Sequence, residues 1–291
     1  MKRYLPLICM AILAHTIASL VANTAHAQTK DVVVIGGALT EIVYALGAEH
    51  RIAGTDTTAL YPLAAQQTPK VGYQRSLSAE GVLSLKPKIV IAASESGPQA
   101  ALAQIRQAGV QVELFPAEHS ADQVLENVGR IAKILSIAKQ GEAFQAKMRQ
   151  ELGQMSDTVS KFTGPKPKVM FLLAHGAAPQ ASGTGTAAHA MIELAGGENV
   201  FGRADGVNSY SGYRPLTAEG VVTAAPDVIL ISEQGLAGQG GVEGILKRSG
   251  LALTPAGQAK RIVKMDALKL MGFGPRLPET VAELARLFRA R

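Results

Sequence analysis

Cysteine is all but missing from this 291-residue chain: the only one, Cys9, falls in an N-terminal segment that reads as a leader. From residue 28 onward there is no thiol, which excludes disulfides, Cys-ligated metal clusters and thiol nucleophiles and leaves oxygen and nitrogen as donor atoms. Aromatic residues are scarce, at 4% of the chain, and the basic residues are scattered rather than clustered. A nucleic-acid partner is therefore not expected, since neither base stacking nor a cationic track is provided. There is no large excess of one charge either. Setting aside Lys2 and Arg3 leaves 27 basic and 23 acidic side chains, a net +4, a mild balance compatible with an anionic small ligand.

Catalytic motifs are also missing. No Gly-x-Ser-x-Gly elbow, no His-Glu-x-x-His pair and no Gly-Lys-Ser/Thr triplet occurs, so hydrolase, zinc-protease and P-loop readings lack their defining residues. Gly36-Gly37 followed by Asp56 invites a dinucleotide reading, but the second and third glycines of that fingerprint are not there, and a plain tight turn is the better account. Ser182-Gly-Thr-Gly-Thr186 is a second glycine-rich loop whose backbone amides are expected to line a cleft. The chain is expected not to be an enzyme.

Residues 1–27 have the form of a cleaved secretory signal: Lys2 and Arg3, an apolar stretch from Leu5 to Leu20, and Ala25-His-Ala27 before Gln28. The stretch contains His15 and is short for a span of ~20 apolar residues, so export with cleavage is favoured over an anchor. No membrane insertion of residues 28–291 is expected. Those residues are enough for two medium domains.

What is present in quantity is a repeat. Leu77-Ser-Ala-Glu80-Gly-Val-Leu-Ser-Leu-Lys-Pro87-Lys-Ile-Val-Ile91 returns 139 residues later as Leu216-Thr-Ala-Glu219-Gly-Val-Val-Thr-Ala-Ala-Pro226-Asp-Val-Ile-Leu230. Each copy reads as a short helix, a proline turn and a buried strand. Two similar lobes with a ligand between them follow from that duplication. Apolar runs at 31–35, 89–93 and 110–115 alternate with helical segments near 40–46, 78–85 and 99–108. A second series at 168–174, 228–232 and 261–263 alternates with helices near 187–195, 218–223 and 278–289. Phe144, Met148, Leu152, Met155, Val159 and Phe162 recur at steps of three and four, the stripe of one long connecting helix packed on both lobes. The expected fold class is thus α/β, two Rossmann-like lobes joined by a single long helix with the ligand cleft between them. The expected boundaries are a signal peptide at 1–27, an N-terminal lobe at 28–137, a connecting helix at 138–163 and a C-terminal lobe at 164–291.

Candidate ligating residues are few. Tyr73 and Arg75, in Gly72-Tyr-Gln-Arg75, would project to one side if that loop were extended. A permanent positive charge beside a phenol favours its ionised form, a hard ligand suited to ferric iron. The bland alternative is a surface tyrosine stacked on arginine. Of four histidines after residue 27, His50, His119 and His189 read as surface or hydrogen-bonded residues. His175 stands out because it follows an apolar run and precedes Gly176, where a strand would open onto a ligand crevice.

Nearly the whole of residues 28–291 resembles the periplasmic haem-binding proteins of bacterial ABC haem importers. The resemblance is carried by Ile35-Gly-Gly37 to Glu41, Gly72-Tyr73-x-Arg75, the two Leu-Ser/Thr-Ala-Glu copies, Ala174-His175-Gly176, Tyr213-Arg-Pro-Leu216 and Gly272-Phe-Gly-Pro-Arg276-Leu-Pro278. Pro87-Lys88 departs from that family's usual Pro-Asp. The resemblance implies a periplasmic carrier of ferric haem, one or two per chain, in a Gram-negative bacterium. Haem is then transported ligand rather than resident cofactor, and the partner is an ABC haem permease dimer with its ATPase. It further implies Tyr73 as the axial iron ligand with Arg75 beside it. His175 falls where a ligand to a second, stacked haem would be, with capping of a single haem or mere lining of the cleft as alternatives. Tyr213 and Arg214 would contact haem or its propionates, and Glu80 and Glu219 would dock the two permease halves. A siderophore or cobalamin carrier of the same fold is the alternative within transport, and a periplasmic haem-modifying enzyme the alternative outside it.

Overall fold

The computed structural model describes residues 30–174, 179–203, 209–248 and 250–290. The first lobe contains β1 (Val32–Ile35), α1 (Gly37–Ala45), β2 (Ile52–Thr55), α2 (Ala79–Leu83), β3 (Ile89–Ala93), α3 (Gln99–Gln107), β4 (Gln111–Phe115) and α4 (Ala121–Ile134). Its strands form a four-stranded parallel sheet in the order β2-β1-β3-β4. Residues on alternate sides of a strand point to opposite faces. Val32, Val34 and Ile91 accordingly pack on one side with Ile42, Val128 and Ile131, while Val33, Ile35, Val90 and Ala92 pack on the other with Val82, Leu102 and Ile105. Both faces of the central strands β1 and β3 are covered, so those two read as unbroken apolar runs.

A 23-residue helix, α5 (Ala138–Ser160), leads to the second lobe. Met148 and Met155 are buried along it, and Phe144 packs against the cores of both lobes. The helix ends before Phe162, which keeps its place on the stripe from the following turn, beneath the Arg289 guanidinium at 4.4 Å.

The second lobe runs β5 (Lys168–Leu173), β6 (Gln180–Ser182), α6 (Ala187–Leu194), β7 (Glu198–Asn199), β8 (Tyr213–Pro215), α7 (Ala218–Ala224), β9 (Val228–Ser232), α8 (Glu233–Gly238), α9 (Gly241–Leu246), α10 (Pro255–Gln258), β10 (Ile262–Met265), α11 (Ala267–Met271) and α12 (Leu277–Leu287). Its sheet is mixed: β10-β9-β5 is parallel, β6 runs antiparallel to β5, β8 antiparallel to β6, and β7 pairs with β5. Val169, Phe171, Val228 and Leu230 face α5 and α12, whereas Met170, Leu172, Ile229 and Ile231 face the opposite core.

The repeat is structural down to its termini. Ser78 caps α2 by accepting from the Gly81 N–H, and Thr217 caps α7 by accepting from the Gly220 N–H. The residue before each proline, Lys86 (φ 51°) and Ala225 (φ 44°), takes the left-handed conformation that turns the chain from helix to strand. No helix among the described residues is long and apolar enough to cross a membrane.

Candidate ligand-binding site

In an open parallel sheet, the loops at the strand carboxyl ends separate where the strand order reverses, and ligands lie in that crevice. In the first lobe this point falls between β1 and β3. Gly36 after β1, Ala93 at the end of β3 and Glu95 beyond it, and Pro116 to His119 after β4 line a cavity of about 210 Å³, closed from the second lobe by Ala267, Leu268 and Met271 to Phe273. The crevice therefore lies between the lobes.

Its first-lobe wall is built by a small set of polar contacts. Gly36 (φ 122°) makes the turn from β1 into α1, and the buried Asp56 carboxylate accepts from its N–H at 2.8 Å, from the Thr58 N–H at 3.0 Å and from the Thr58 hydroxyl at 2.9 Å. The acidic residue twenty positions after Gly36 thus holds the turn itself. Lys70 donates to the Thr55 hydroxyl and the Ala65 carbonyl, each at 2.8 Å, pinning the loop that precedes Gly72 to the end of β2.

Tyr73 to Ser76 is a closed turn, with Ser76 N–H donating to the Tyr73 carbonyl at 2.9 Å, and not the extended segment that the sequence suggests. The turn is anchored to the loop after β3: Gly97 N–H donates to the Gln74 carbonyl and Leu77 N–H to the Gly97 carbonyl, both at 2.8 Å. Gln74 lines the crevice, and Tyr73 beside it is 45% exposed. Among the described residues, neither Tyr73 nor Arg75 makes a side-chain hydrogen bond, ion pair or ring contact, with the other or with anything else, so both are available to a ligand.

The second-lobe candidates separate. Alternation along β8 turns Tyr213 inward, edge-on to Phe171 at 6.5 Å between ring centroids, and burial pushes its phenol up despite a hydrogen bond with Thr186. Arg214 turns the other way, its guanidinium 4.8 Å from the Tyr210 ring centroid, beside a cavity of about 260 Å³ lined by Phe201, Pro215 and Thr217. The two neighbours therefore do not share one place. The amides expected to line a cleft in Ser182 to Thr186 are used by the backbone: Gly183 N–H donates to Gly212 O and Thr184 N–H to Tyr210 O, each at 2.7 Å. His175 lies outside the described residues.

His119 is the crevice residue that sequence reasoning passed over. Its ring centroid is 5.3 Å from that of Phe273 across the crevice, and burial pushes its pKa down from the ordinary value against the pull of Glu95. Only its position after β4 could have signalled this. His189, by contrast, is held by the Asn199 side chain at 3.3 Å. Glu80 and Glu219 are exposed in the first turns of α2 and α7. Among the described residues no three His, Asp or Glu side chains gather as a metal cage.

Comparison with solved structures gives the periplasmic haem-binding protein BhuT in complex with two haems, 42% identical, with a TM-score of 0.84 over 89% of this chain and 97% of that one. The apo haem-binding protein RhuT from Roseiflexus sp. RS-1 is 38% identical, with a TM-score of 0.84 over 89% and 98% of the two chains. A cobalamin-binding protein of Halobacterium salinarum is 27% identical over 93% of this chain and 72% of its own length. The family model described as periplasmic binding protein matches residues 32–268, and the chain belongs to that family, a non-enzymatic component of transport.

Proposed function

We propose that the protein is a periplasmic carrier that takes ferric haem into the crevice between its lobes and delivers it to an inner-membrane ABC permease. The observation that carries this reading is its likeness, over 89% of the chain, to haem-binding proteins 38 and 42% identical to it. The wall chemistry supports it. An unpartnered phenol and guanidinium stand in one turn beside a crevice-lining residue, with the aromatic Phe273 and the aliphatic Leu268 opposite. The enclosed part of the crevice, about 210 Å³, is smaller than the ~300–1,000 Å³ of a full ligand site. A macrocycle therefore extends outward from it, past Gln74, toward Tyr73.

In this reading Tyr73 ligates the iron as phenolate, with Arg75 as the cation that stabilises it. His175, following β5, ligates a second stacked haem. Tyr213 and Arg214 belong to the wall of the second lobe rather than to the iron. Residues 1–27 export the chain and are cleaved, and Glu80 and Glu219 meet cations on the two permease halves, so reversing both to Lys abolishes transport and leaves haem binding intact. Cobalamin is the second reading, favoured by the relative from Halobacterium salinarum.

Titration with hemin, with cobalamin as a parallel arm, tests the proposal. The parent chain should give the Soret pattern of tyrosine-ligated ferric haem, and Tyr73→Ala should lose it. Pyridine-haem quantification should give two haems for the parent and one for His175→Ala. No Soret shift in the parent, with saturable cobalamin binding instead, transfers the assignment to cobalamin.

A further inference from the structure

The segment from Asp266 to Arg276 belongs to the second lobe but is pressed onto α1 of the first. Its anchorage at home is firm. Asp266 accepts from the Lys269 N–H at 2.9 Å and from the Gln234 amide at 2.9 Å, while Lys269 reaches Glu279 and Glu283 on α12 at 2.7 and 2.6 Å. Across the lobes, Leu268 packs on Gly37, Gly274 passes beside Ala38, and Phe273 meets His119.

The end of this segment carries a strongly directional interlobe contact. Arg276 Nε donates to Glu41 Oε2 at 2.8 Å and its terminal nitrogen to Oε1 at 2.6 Å, a fork-to-fork pair joining residues 235 apart in sequence. The side chains are 18% and 5% exposed. The same guanidinium lies 3.9 Å from the ring centroid of Tyr61, also from the first lobe. Glu41 lies on α1 between Leu39 and Ile42, which with Gly37 and Ala38 line the crevice. A planar guanidinium bonded in two places fixes orientation as well as distance, which a single contact or a lysine does not.

We propose that Glu41 and Arg276 are positioning residues, a latch that fixes the spacing of the lobes across the crevice and so governs how long a planar cargo is retained. The proposal rests on the haem reading for its cargo, but the latch itself does not require it. A preset crevice spares the ligand the cost of ordering two lobes on binding.

The absence of cysteine after residue 27 makes the test direct. Spin labels at Gln107→Cys and Lys247→Cys, one exposed position on each lobe, report the interlobe distance by pulsed electron resonance. The parent should give one narrow distribution. E41Q, and R276K, which keeps the charge but loses the fork, should broaden it. Hemin release should then quicken roughly tenfold, the factor produced by about 1.4 kcal/mol. R276K guards against an E41Q chain that fails to fold. Distributions as narrow in both variants as in the parent overturn the latch, and so does broadening with release within twofold of the parent. If the parent binds no hemin, the haem reading fails, and the distance distributions decide the latch alone.

Discussion

Burial pushes the Tyr210 phenol up to about 12, although the nearby Arg214 charge pulls it the other way. Its hydroxyl donates to the Ala181 carbonyl at 3.0 Å, a bond that needs the proton. Between pH 10 and pH 12 the unfolded chain has lost this proton while the folded chain keeps it. The stabilisation is therefore complete below pH 10 and drains away as pH rises through 12. Urea midpoints of the parent should fall more steeply above pH 10 than those of Tyr210→Phe, and parallel curves would show that the phenol does not titrate with folding. At this scale the sequence was informative about residue type and less so about direction. Tyr73 and Arg75 stand out by type in Gly-Tyr-x-Arg, but the turn that carries them is anchored by Gly97, more than twenty residues away. Tyr213 is equally visible, yet only its pairing along β8 shows that it faces inward, away from Arg214.

The repeated unit is where local chemistry decides most. Helices α2 and α7 have five and seven residues, too short to persist on propensity alone, and each depends on its Ser or Thr cap and on the turn that follows it. Replacing the cap, Ser78→Ala or Thr217→Ala, should cost about 1 kcal/mol each, a fall in Tm of about 2–4 °C for a chain of this size. Calorimetry of the two variants and their double checks this. Since the caps lie in separate lobes, their effects should add, and a double variant much worse than the sum would reveal coupling through α5. Most of the parallel strands and the α5 stripe were legible because burial on both faces writes long apolar runs and a regular period. The strands β6, β7 and β8 were not, being two or three residues long and stabilised by partners distant in sequence. Nor was α4, although it packs on α5 through the same apolar cluster.

On the scale of the whole molecule, two lobes were readable from the duplication, and the crevice between them followed from strand order. The interlobe contacts were not readable, because Glu41 and Arg276 lie at opposite ends of the sequence and neither belongs to the repeat. Gly37 is hemmed in from both lobes: a Cβ there would come within 2.5 Å of the Thr58 carbonyl oxygen of its own lobe and 2.7 Å of a Leu268 methyl from the other. The carbonyl belongs to the backbone and cannot swing aside, so Gly37→Ala should cost about 1–3 kcal/mol. Chemical denaturation would register this as a lower midpoint, and an unchanged midpoint would mean that the floor yields freely. Across the lobes the close approach here is that of the Leu268 side chain to the bare backbone of Gly37, and this point can serve as a fulcrum. A rocking about this point would widen the rim near Gln74 more than the base, and would make the entrance rather than the depth of the crevice the part that responds.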